Sequence, residues 1–102
     1  MIDVGSCNRK ADLIDDAIIN VNSLISKYEE AIFYIDRNES THADSLVKKL
    51  NGELDDLYSL KDVLKRVSST IRSKAREIYS KQLREKMERD KAEAEAANNH
   101  RI

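Results

Sequence analysis

Proline and tryptophan are absent from this chain of 102 residues, and cysteine occurs once, at Cys7. Without proline, no segment carries the strongest breaker of helices. A lone cysteine rules out an intramolecular disulfide and fits a reducing compartment. Gly5 and Gly52 are the only glycines, so there is no glycine-rich loop to cradle a phosphate. No apolar run approaches the roughly 20 residues that span a bilayer. The segment Met1 to Ser6 has no basic region leading into an apolar stretch, so no cleaved secretory signal is expected. These absences point to a cytoplasmic protein, or to one exported without a cleaved signal peptide.

Chemistry is equally sparse. His42 and His100 lie far apart, and neither belongs to a His-x-x-x-His or Cys-x-x-Cys pattern that would hold a metal. Cys7 has no histidine nearby to activate it. Carboxylates are adjacent at Asp15-Asp16, Glu29-Glu30 and Asp55-Asp56, but acid–base work needs two unequal environments, and neighbours on a polar helical face share one. No catalytic residue, metal or cofactor is expected.

What the chain has is charge and aliphatic periodicity: 36% charged residues, 40% hydrophobic and 5% aromatic. Ile14, Ala17, Val21, Leu24, Tyr28, Ala31 and Ile35 recur in steps of three and four, the seam of a packed helix. Ile18, Ile25 and Ile32 widen that seam, so this helix is expected to touch more than one neighbour. The pattern predicts a helix over about 9–37, capped by Ser6 or Asn8, after an arm at 1–8. A polar turn follows near 38–40, where Thr41 and Asp44 resemble a capping box. Val47, Leu50, Leu54, Leu57, Leu60, Leu64, Val67 and Ile71 then mark a second helix. Gly52 is expected to weaken or kink it. Ser68-Ser69-Thr70 is a soft point at which it could end and restart.

The expected fold is therefore all-α. It is an antiparallel helical hairpin over 9–67, a basic helical extension over 68–97 and a frayed tail at 98–102, assembling as a coiled coil or four-helix bundle. A three-helix bundle broken near 68–70 is the alternative. The first helix would be roughly 40 Å long and an unbroken 41–90 helix roughly 75 Å. Half of the longer helix would then need cover from another chain.

Charge is divided along the sequence. Residues 1–60 hold twelve acidic and six basic side chains, whereas residues 61–91 hold five acidic and eleven basic. Such asymmetry selects partners and their orientation more than it selects a fold. The basic part of one chain is suited to lie against the acidic half of another. The main functional expectation is a non-enzymatic interaction module, an adaptor, chaperone or small regulatory subunit, binding itself or another helical protein. Its partner-facing positions are expected at Ile18, Ile25, Ile32, Leu57, Leu64, Ile71, Ile78 and Leu83. The alternative is a regulator that binds nucleic acid through Lys65, Arg66, Arg72, Lys74, Arg76, Lys81 and Arg84. Interleaved Glu77 and Glu85, four residues before Lys81 and Arg89, instead suit a solvated, salt-bridged helix.

The stretch from Leu57-Tyr58-Ser59-Leu60 to Ala75-Arg76-Glu77-Ile78-Tyr79 resembles the second helix of the Trp-x-Gly helical-hairpin proteins of type VII secretion and their adaptor relatives. The resemblance is architectural and covers most of the chain. It implies pairing into a four-helix bundle and a targeting or chaperone-like role for the C-terminal helix. The turn carries neither Trp nor Gly, and Leu83 stands where the export signal has an acidic residue.

Overall fold

The computed structural model describes residues 2–37 and 40–99, and these form two long helices. Helix α1 runs Val4–Asp36 and helix α2 runs Thr41–Asn99. They fold as a hairpin with a projecting end, an all-α molecule 95 Å long and 15 Å wide. Contacts across it run in opposite sequence order: Ile2 with Gln82, Ser68 with Ala11, Tyr28 with Glu53. The α1 helix is used up near Gln82, so residues 83–99 project beyond it as a single exposed helix.

Local chemistry sets the helix ends. Asp3, in an extended conformation, accepts from the Ser6 backbone N–H and caps α1. The cap expected at Ser6 or Asn8 therefore lies earlier, and residues 4–8 are helix instead of arm. At α2 the cap is Ser40, whose Oγ accepts from Ala43 N–H at 3.0 Å. Thr41, expected in that role, is already the first helical residue. The expected turn falls partly on residues 38 and 39, which lie outside the described residues, as does the tail from His100.

Neither soft point in α2 breaks the helix. Gly52 is helical with no positive φ, and a Cβ built there meets nothing within 4 Å. Helical bonding runs through Ser68-Ser69-Thr70, which removes the three-helix alternative. Ser68 is only 4% exposed, and its Oγ donates to Asp15 Oδ1 at 2.6 Å and lies 3.4 Å from the Ala11 carbonyl. A short polar residue is tolerated inside the helix because its hydroxyl has partners on the other one.

The seam differs in phase from the expected one. On α1 it follows Ala11, Ile14, Ile18, Val21, Ile25, Tyr28, Ile32 and Ile35, all buried or half-buried. On α2 it follows Ala43, Val47, Leu50, Leu54, Leu57, Lys61, Leu64, Ser68, Ile71 and Ala75. Leu24, Leu60 and Val67, expected in the seam, are instead exposed. Three isoleucines bury more apolar surface than the Ala17-Leu24-Ala31 row they displace. On α2, small side chains at Ser68 and Ala75 let the helices approach where Ala11 is fully buried.

Candidate functional site

Both seams keep heptad spacing, so each helix has two flanks beside the seam. One flank takes the residues that follow Ile14, Val21, Tyr28 and Ile35 on α1, and those that follow Leu50, Leu57, Leu64 and Ile71 on α2. It is polar, and it closes the hairpin. Arg72 Nη2 donates to Asp12 Oδ1 at 2.7 Å and to Asp15 Oδ2 at 2.5 Å. Further toward the turn, Tyr58 donates to Glu29 Oε1 at 2.6 Å. The Ser68 hydroxyl, followed by the Arg72 guanidinium, holds the Asp15 carboxyl below its ordinary value of 3.8. Glu29 pushes the Tyr58 hydroxyl above its ordinary 10.0. Asp15 and Glu29 of α1 are thus engaged with Arg72 and Tyr58 of α2 on this edge.

The opposite flank is apolar and open. It carries Ala17 and Leu24 of α1, Leu60 and Val67 of α2, and the next row outward, Leu13 and Val63. The hairpin register sets Leu24 across from Leu60 and Ala17 across from Val67. Leu13, Leu24, Leu60, Val63 and Val67 are each at least 40% exposed. A shallow groove on this edge is lined by Val63, Arg66, Val67, Thr70 and Ile71. Toward the turn it is bounded by Glu53, whose Oε2 accepts from Tyr28 Oη at 3.0 Å. That contact raises the Tyr28 hydroxyl above its ordinary 10.0.

The residues expected to face a partner are distributed differently. Ile25 is 5% exposed and belongs to the interior of the hairpin. Ile18, Ile32, Leu57, Leu64 and Ile71 are half-buried along the same seam. Ile78 and Leu83 remain exposed, near the end of the cover that α1 provides. Of the exposed row, the sequence pattern places Leu24, Leu60 and Val67 in the seam and leaves Leu13 and Val63 outside it. A second heptad row lying one residue before the isoleucines was the available signal.

The basic residues proposed for nucleic acid do not share a face. Arg72 is bound to Asp12 and Asp15 across the hairpin. Lys74 pairs with Glu77 at 3.5 Å within α2, instead of the expected Glu77–Lys81 pair. Lys65, Arg66, Lys74, Arg76, Lys81 and Arg84 are exposed and spread over the faces of α2 outside the seam.

Among the described residues, no helix is long and apolar enough to cross a membrane. No group of three or more His, Cys, Asp or Glu is placed to hold a metal ion among them either. Compared with protein-family models, curated proteins and solved structures, the chain matches none.

Proposed function

We propose that this chain is a non-enzymatic helical interaction module. It is an antiparallel coiled-coil hairpin that works by offering its apolar edge to other helices. The observation that carries this reading is the exposed row Leu13, Leu24, Leu60, Val63 and Val67 on one side of the hairpin, opposite an edge closed by ion pairs and hydrogen bonds. Two helices alone cannot enclose a core. Among the described residues no large side chain is fully buried, and the buried ones are Ala11, Ala43, Ala75, Ser68 and Ile25. Contiguous apolar surface at helical spacing is what a third or fourth helix would cover.

The test uses the chain produced in its own cells with a small tag. The native extract is fractionated by size, and the chain is located by its tag. The wild-type chain is expected in a complex larger than itself. The Leu60→Asp/Val67→Asp variant is expected to elute as the lone chain with its helicity intact, since both residues lie off the seam. Lys65→Asp, on the polar edge, should leave the complex unchanged. A double variant that stays in the complex, or a wild-type chain that elutes alone, contradicts the reading.

A further inference from the structure

We infer that the occupant of the apolar edge is a second copy of this chain, stacked face to face with its turn at the opposite end and with α2 lying antiparallel on the partner's α2 about an axis at Val63. The inference rests on the reading above, because it names what covers that edge. It is carried by the charge pattern along α2 on either side of the apolar row.

The open edge of α2 presents Lys49, Glu53 and Asp56 before Leu60, and Thr70, Lys74 and Glu77 after Val67. With Val63 on the axis, Leu60 meets Val67 of the partner subunit. One step out, Glu53 faces Lys74 of the partner subunit, and then Lys49 faces Glu77 of the partner subunit. Lys49 and Glu53 are thus opposite in charge to the residues they meet, and Asp56 faces the uncharged Thr70 of the partner subunit. The same axis sets Leu24 beside Ala17 of the partner subunit on α1, with Asn20 beside its own copy.

Other alignments fail on the same residues. Sliding by one heptad in one direction sets Asp56 against Glu77 of the partner subunit. Sliding the other way puts the Glu53 carboxylate on Val67 of the partner subunit. Stacking the hairpins with both turns at one end adds a second Lys10–Lys74 apposition to the one each hairpin already carries. Like charges in contact and carboxylates on valine disfavour these arrangements, so charge fixes the register while the apolar row supplies the affinity. Glu53 already accepts from Tyr28 through Oε2 at 3.0 Å, which leaves Oε1 to meet Lys74 of the partner subunit. The Lys74–Glu77 pair is exposed on both sides and can be shared with a partner.

Size agrees. Residues 46–81 span roughly 50 Å of helix. Across a hairpin 15 Å wide, that is a face of about 800 Å², the area per partner of a standard specific interface.

The experiment measures the mass of the purified full-length chain against concentration by analytical ultracentrifugation, with charge-swapped variants. The wild type should sediment as a dimer of twice 11.7 kDa. Lys49→Glu should weaken the dimer about tenfold, as should Glu77→Lys, since the two-fold symmetry counts each pair twice. Lys49→Glu/Glu77→Lys together should restore it. These residues lie roughly 42 Å apart along one helix, so rescue can only act between copies. As a second readout, Val63→Cys in a Cys7→Ser background should oxidise to a disulfide dimer, whereas Ser59→Cys should not. A monomer at every concentration overturns the inference, and a large complex in extracts would then assign the edge to a different helical protein. A dimer that shows no rescue and no cross-link at 63 overturns the arrangement.

Discussion

Ser68 shows how a single residue reverses its apparent meaning. In sequence it opens a polar run inside an apolar helix. In the hairpin its hydroxyl is buried against Asp15 and the Ala11 carbonyl. Ser68→Ala should therefore destabilise by about 1 kcal/mol, the net worth of a buried hydrogen bond, although it leaves the seam small. Thermal melts check this, and an unchanged midpoint would show the bond contributes nothing. Asp15 adds a pH dependence. Its carboxyl is held below the ordinary 3.8 in the folded chain by Ser68 and Arg72. A depressed carboxylate stabilises above its unfolded value, and this contribution is lost as pH falls from about 4 toward the folded value. The wild-type melting point should drop across that window, and Asp15→Asn should flatten the drop. An equally steep fall in the variant would place the acid sensitivity elsewhere.

Each helix offered two heptad phases, and the sequence alone did not separate them. Ile14, Val21, Tyr28 and Ile35 belong to both phases of α1, and the choice lay between Ala17-Leu24-Ala31 and Ile18-Ile25-Ile32. The continuity of α2 past Ser68 stood open in the sequence, but helix type and the order of two long helices were legible because they follow from period and the missing proline. Phase was not, because it depends on which neighbour is present. On α2 the seam passes over Lys61 and Ser68, which a hydrophobicity pattern reads as outward. Lys61 can lay its aliphatic stem along the seam with its ammonium in water. Gly52 was read as a weak spot, and its open surroundings turn this into a prediction. Gly52→Ala should stabilise by about 0.5–1 kcal/mol, raising the melting point, because the added Cβ meets no neighbour. A lowered midpoint would mean that the helix needs the glycine.

At the scale of the whole molecule, the hairpin divides into two regimes. Up to Gln82, α2 is backed by α1, and beyond it every described residue is exposed. A lone helix of this length is marginal in water. Amide hydrogen exchange in the isolated chain should therefore be slow over 50–75 and fast over 86–99, and uniform protection would show cover on the overhang. The sequence foresaw an overhang, and Ile18, Ile25 and Ile32, expected to face a partner, lie along the seam inside the chain. The most direct test of the apolar edge places a photo-crosslinking amino acid at Val67 in one variant and at Lys65 in another, with irradiation in the cells that make the protein. The account predicts covalent adducts from position 67 and none from position 65. Equal yields from both positions, or none from 67, would contradict it.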